Sequence, residues 1–172
     1  LRREVEALRA QADALEEQSR AIHRRAIADQ ISRTLAEDGD DRTFRAGLLI
    51  ARLDNTEIRV NDYLEEVERM ASEIGDGIPE KAGTAQRVEA VRNYLFKDNG
   101  FHGSRSDYYN RSNSYLNEVI DDREGIPLTL SLLFVELARR VGAEIHGLGL
   151  PGHFAACYEA DGKRIIIDPF EG

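Results

Sequence analysis

The feature that most constrains this chain is a segment that would be apolar on nearly every face of a helix. From Pro127 to Val141 it carries Leu128, Leu130, Leu132, Leu133, Phe134, Val135 and Leu137. A helix that is hydrophobic all round must be surrounded by other elements. Pro127 suits the first turn, where a missing N–H costs nothing and the fixed φ favours a helix start. Gly142, shortly after Arg139 and Arg140, suits the stop. The fold has to be built around this segment.

What can surround it is read from the flanks. After it come Glu144 to Leu150, His153 to Glu159 and Arg164 to Asp168, separated by Pro151-Gly152 and Asp161-Gly162, and they read as three short strands of a meander. Before it lie three helical segments, Thr43 to Leu53, Val60 to Ile74 and about Ala85 to Phe96. In the second, Val60, Tyr63, Leu64, Val67, Met70, Ala71 and Ile74 share one face; in the third, Val88, Val91, Tyr94 and Leu95 do. Stripes at this spacing are core faces rather than cofactor contacts. Helices first and strands last predict an α+β fold, with the central helix packed on a small C-terminal antiparallel sheet. Asn99 to Ser114, rich in Gly, Ser, Asn and Tyr, reads as a long ordered loop. It either lines a site or is a surface loop pinned by Tyr108, Tyr109 and Tyr115.

The N-terminal stretch is different. Leu1, Val5, Leu8, Ala12, Leu15, Ser19, Ile22 and Ala26 alternate steps of four and three, the spacing of a coiled-coil seam. Two readings stay open, a helix packed on its own domain or a homo-oligomer formed through this helix. The helix should end by Asp38-Gly39-Asp40-Asp41. The expected organisation is a long helix over residues 1–38 and a domain over residues 43–172. With Leu1 first, and the chain stopping at Glu171-Gly172 soon after a strand-like run, we expect a fragment of a longer protein.

Composition narrows the partners. The formal net charge is −9, which works against binding polyphosphate backbones, and the tight basic group His23-Arg24-Arg25 reads as a solvated helix face. Nucleic acid is therefore not an expected partner. No apolar run reaches the roughly 18–20 residues that span a bilayer, so no membrane association is expected. One cysteine, Cys157, excludes an internal disulfide framework and a cysteine-based zinc cage, and suits a reducing, cytoplasmic setting.

Chemistry points to two residues. His153 heads one strand and Asp168 closes the next, which an Asp-Gly hairpin would make its antiparallel neighbour. Counting outward from Asp161-Gly162 puts His153 roughly opposite the Asp168 to Phe170 region. A carboxylate there would fix the imidazole tautomer, as an acyl-transfer base requires, although such a pair is also a common structural feature. His146 and His153 lack a third ligand, so no metal is expected. Gly147-x-Gly149 runs into a strand and not a helix, so no phosphate-binding loop or other cofactor site is expected. His23 and His102 read as surface residues.

Several motifs in one order add a family. Tyr108-Tyr109-Asn110, Asn113-Ser114-Tyr115-Leu116-Asn117, Arg123-Glu124-Gly125-Ile126-Pro127-Leu128-Thr129-Leu130, Pro151-Gly152-His153-Phe154 and Ile167-Asp168-Pro169-Phe170 together resemble the SirB1-type branch of the transglutaminase-like superfamily. The resemblance extends loosely upstream to about Thr43 and implies a papain- or transglutaminase-like core. In active members a Gly-x-Cys opens the central helix, a histidine lies on one strand and Asp-Pro on the next. Matching helix start and helix end without a gap places Gly125 on the family glycine and Pro127 on the cysteine, with His153 as the base and Asp168 as its orienting acid.

Nothing in the sequence replaces the thiol. Cys157, four residues along the strand from His153, is displaced by about 13 Å and reads as a small core residue. Ser131 lies one turn above Pro127, about 6 Å along the axis, and Thr129 points away by roughly 200°. Asn117 could supply a polar group to the pocket, or it could serve a cap or turn. The resemblance and the proline together lead us to expect a catalytically silent transglutaminase-like domain that binds a protein or peptide. The alternative is a hydrolase or acyltransferase in which the His153 and Asp168 pair activates water or another hydroxyl.

Overall fold

The computed structural model describes residues 2–172; Leu1 of the N-terminal seam lies outside the described residues. The chain divides into two compact units, one ending at Ile58 and the other running from Arg59 to Gly172.

The first unit holds α1 (Arg2–Ala36) and α2 (Arg42–Ala51). α1 uses two different stripes. Ile27 and Thr34 are buried, and His23 Nε2 lies 2.6 Å from the Arg52 carbonyl. A carbonyl can only accept, so Nε2 carries the proton and His23 ties α1 to the end of α2. Expected as a surface residue, it is instead partly buried by this bond. The seam from Val5 to Ile22 remains exposed.

The second unit runs α3 (Val60–Asp76), α4 (Thr84–Arg92), a π-helical turn (Asn93–Asp98), β1 (His102–Gly103), a 3₁₀ turn (Arg111–Ser114), α5 (Leu116–Asp122), β2 (Glu124–Gly125), α6 (Pro127–Arg140), β3 (His146–Leu150), β4 (His153–Ala160) and β5 (Lys163–Ile167). α6 is the central helix that its composition demands. Leu130, Leu133, Phe134, Leu137 and Ala138 are fully buried, while Leu128 alone among its large apolar residues is well exposed. Phe134 stacks on Phe96 of the π-helical turn with centroids 6.1 Å apart. The one acidic residue of the helix, Glu136, is also buried, and it accepts from Arg140 Nε at 2.8 Å.

β3, β4 and β5 form an antiparallel sheet in that order. Asp161 (φ 52°) and Gly162 (φ 70°) both take left-handed backbone, the requirement of a two-residue type I′ turn and the reason Asp-Gly closes this hairpin. That turn sets the register from Ala160 opposite Lys163 to Ala156 opposite Ile167.

The third helix and the long loop differ from the sequence reading. The expected third helix changes its hydrogen-bonding pattern at Asn93 and finishes as the π-helical turn. Within the polar stretch Asn99 to Ser114, His102 and Gly103 pair in parallel with Glu124 and Gly125, through His102 N to Arg123 O and Ser104 N to Gly125 O, both 2.9 Å. The loop is thus stitched to the residues just before α6, with Phe101, Ser104 and Asn113 buried.

Candidate functional site

α6 and β4 meet at the place where chemistry would be expected. Pro127 is the first residue of α6 and is buried. The start of the helix is closed by side chains: the Thr129 hydroxyl donates to the Asn113 carbonyl at 2.8 Å and accepts from Ile126 N at 3.2 Å. One turn on, Ser131, with no exposed surface, donates from Oγ to the Phe154 carbonyl at 3.2 Å. The second turn of α6 is thereby fixed against the head of β4, where His153 sits.

Beyond the last paired residues, Ala156 and Ile167, the β4–β5 register continues outward to bring His153 near Asp168. His153 Nε2 lies 2.8 Å from Asp168 Oδ2, and both side chains are about one third exposed. A carboxylate only accepts, so Nε2 carries a proton, and in the neutral ring the Nδ1 lone pair is then left open. Among the described residues no protein group bonds Nδ1. Asp168 is itself held: Oδ1 accepts from Phe170 N at 3.0 Å, and its carbonyl accepts from Glu171 N and Gly172 N, both at 3.2 Å. This is an Asx-type turn in which the aspartate orients its own carboxylate.

That turn rests on the long loop. A Cβ at Gly103 would lie 2.6 Å from the Phe170 ring and 2.6 Å from the Phe170 carbonyl oxygen. Only glycine admits Phe170 at this distance. Tyr108 meets the same ring edge-on at 6.2 Å, and Arg105 Nη2 reaches Glu171 at 2.7 Å. Gly103 pairs with Gly125, where a Cβ would meet Thr129, Leu130 and Val119 at 2.9–3.1 Å. A continuous stack therefore runs from the start of α6 through Gly125, Gly103 and Phe170 to Asp168. Sequence reasoning singled out Gly125 and the Asp-Pro-Phe motif but missed Gly103, whose signal was a glycine directly after Phe101-His102 in an otherwise polar loop.

The remaining candidates fall elsewhere. Cys157 is buried in β4 opposite His146 and Ile166, four residues from His153. Asn117 lies in the first turn of α5, buried, with its amide donating to Glu118 Oε1 at 2.9 Å; no hydrogen bond joins it to His153 or Asp168 among the described residues. Beside it the Tyr63 phenol donates to Asp121 at 2.7 Å, and burial together with that carboxylate pushes the phenol up to about 12. His102 is exposed, and its Nδ1 lies 3.3 Å from the Gly103 carbonyl of its own loop. No cluster of three or more His, Cys, Asp or Glu side chains suited to a metal occurs among the described residues.

The family follows from comparison with known proteins. A family model described as the transglutaminase-like superfamily matches residues 61–172. The chain belongs to this superfamily. Among its relatives is a UPF0162 protein of Xylella fastidiosa, 34% identical over 136 residues that make up 77% of this chain and 48% of the relative. A UPF0162 protein of Vibrio cholerae is 28% identical over 108 residues, covering 62% of this chain and 40% of its own. Human F-box only protein 21 is 35% identical over 85 residues, 48% of this chain but 14% of that protein. The chain spans about half the length of the Xylella relative. No solved structure matches it. Among the described residues no helix is long and apolar enough to cross a membrane.

Proposed function

We propose that this chain is a transglutaminase-like domain of the SirB1-type branch that does not catalyse acyl transfer and acts as a protein- or peptide-binding, regulatory module. The observation that supports it is at Pro127. The position that matches the family nucleophile holds a buried proline, and the hydroxyls nearest to it along the helix, Thr129 and Ser131, are engaged by the carbonyls of Asn113 and Phe154. His153 is then a base with no protein group to deprotonate, and Asn117 a remnant of the pocket wall. Cys157, buried and unpaired, fits a cytoplasmic setting for the domain.

The test is turnover. Purified chain is expected to leave ester, amide and peptide substrates intact; turnover that His153→Ala abolishes would overturn the reading.

A second reading is kept because of one observation, the open Nδ1 of a pair that is partly exposed. There the base would activate water, and the chain would be a hydrolase or acyltransferase. Such activity would require both His153 and Asp168 and would survive Cys157→Ser, whereas loss in the cysteine variant alone would indicate a rearranged thiol site.

A further inference from the structure

α1 carries its apolar seam in the open. Leu8, Leu15 and Ile22 are 65%, 66% and 71% exposed and Val5 is 40% exposed, with Ala12 and Ser19 exposed between them. The residues that α1 buries, Ile27 and Thr34, belong to a different stripe further along the helix. Three large aliphatic side chains in one line, each about two thirds in water, make a face that association would cover.

The pattern also specifies what would cover it. In heptad terms Val5, Ala12 and Ser19 occupy a, and Leu8, Leu15 and Ile22 occupy d. A parallel pair sets like against like, so two of its layers would contain only alanine or only serine. An antiparallel pair sets a against d. Val5 then faces Ile22, Leu8 faces Ser19 and Ala12 faces Leu15. Each of the last two layers holds one large and one small residue, which keeps the helices evenly spaced.

The flanking charges favour the same orientation. Glu4, Gln11, Gln18 and Arg25 occupy g, and Arg9, Glu16 and His23 occupy e. In the antiparallel register Glu4 meets Arg25, Arg9 meets Glu16 and Gln11 meets Gln18, and the two-fold axis repeats each contact. In a parallel pair only Glu4 and Arg9 have opposite charge, while Gln11 would meet Glu16 and Gln18 would meet His23. Arg25 already pairs with Asp29 at 3.3 Å, but its side chain is 82% exposed, and such solvated pairs exchange partners at little cost.

We infer that α1 is a self-association element on which a second copy of this chain docks antiparallel along Val5 to Ile22, over about 25 Å of helix. This goes beyond the binding role proposed for the domain and does not depend on it. The seam is short, so the dimer is expected to form reversibly with concentration.

The experiment uses the whole chain carrying Cys157→Ser, with a single thiol introduced by Val5→Cys in one preparation and by Ile22→Cys in another. Under a thiol–disulfide buffer, the mixture is expected to give the mixed disulfide, and each preparation alone is expected to stay uncrosslinked. In an antiparallel dimer like positions lie about 25 Å apart along the axis. Disulfides formed by each variant with itself would overturn the orientation. A monomeric mass by light scattering at every concentration, with no crosslink, would overturn the self-association and leave a different protein as the occupant of the seam. Leu15→Lys, at an exposed position, is expected to abolish the dimer with the helical circular dichroism of the monomer unchanged. Arg9→Glu should weaken the dimer roughly tenfold, and adding Glu16→Arg should restore it; if both variants bind like the parent, the register is wrong.

Discussion

Replacing Gly103 with alanine tests whether the long loop holds the His153 and Asp168 pair in place. The new Cβ would meet both the ring and the carbonyl oxygen of Phe170 at 2.6 Å, where ordinary contact begins at 3.4 Å, so about 0.8 Å must be found. The ring alone could swing away. The carbonyl cannot move without its turn, which includes the bond from Phe170 N to Asp168 Oδ1 and those from Glu171 N and Gly172 N to the Asp168 carbonyl. Overpacking of this kind costs about 1–3 kcal/mol, and the rigid backbone contact puts this site near the upper end. With a urea dependence of about 1.5 kcal/mol/M, the unfolding midpoint should fall by roughly 2 M. Gly149→Ala is the control: a Cβ there meets nothing within 4 Å, so stability should hold or rise by about 0.4–1 kcal/mol through the unfolded chain. Equal midpoints for the two variants would refute the argument that Gly103 supports the aspartate turn.

Three further outcomes follow from the same geometry. Asp168→Asn keeps an oxygen able to accept from Phe170 N but turns an N–H group toward His153 Nε2, so the imidazole should change from the Nε2–H to the Nδ1–H tautomer; ¹⁵N spectra of the ring read this, and an unchanged tautomer would contradict the assigned bond. Tyr63 and Tyr94 are both pushed from 10.0 up to about 12, by burial first and then by Asp121 and Glu73 respectively. Between pH 10 and 12 the folded chain therefore holds more phenolic protons than the unfolded chain, and stability should be lost as pH rises through that window. Tyr63→Phe and Tyr94→Phe should each flatten the decline in urea midpoint, and a decline equally steep in the double variant would remove these phenols as its cause. Ser131→Ala leaves the Phe154 carbonyl without its 3.2 Å partner and should cost about 1 kcal/mol, seen in chemical denaturation; no loss would mean that α6 and β4 are held by apolar packing alone.

The parts of this fold that could be read from sequence are those whose local chemistry repeats. α6 declares itself through apolar residues on all faces, and the three strands through Pro-Gly and Asp-Gly turns. The His153 and Asp168 bond was legible because a two-residue I′ turn fixes register, and register fixes which residues meet. β1 and β2 were not legible, since two-residue strands have no period and their pairing depends on residues 22 positions apart. α5 was missed for a related reason: Leu116, Val119 and Ile120 have helical spacing, but seven residues embedded among asparagines and acids give too little of it. The change to a π-helical turn at Asn93 leaves no mark in the apolar stripe, because Val91, Tyr94 and Leu95 suit either helix. The support that Gly103 gives Phe170 is tertiary, and glycine is common in polar loops simply because turns favour it.

The stack that joins Gly125, Gly103 and Phe170 separates two questions that the family motifs invite a reader to merge. The same residues that would aim an acyl-transfer base also fill the interior behind it, so their presence measures how well the chain packs and not what it reacts with. On the reading proposed for this chain, a helix-starting proline occupies the family's nucleophile position, and the start of α6 is hydrogen-bonded and packed without a thiol. Under that reading turnover, and not the stack, separates a working catalyst from a shape that resembles one.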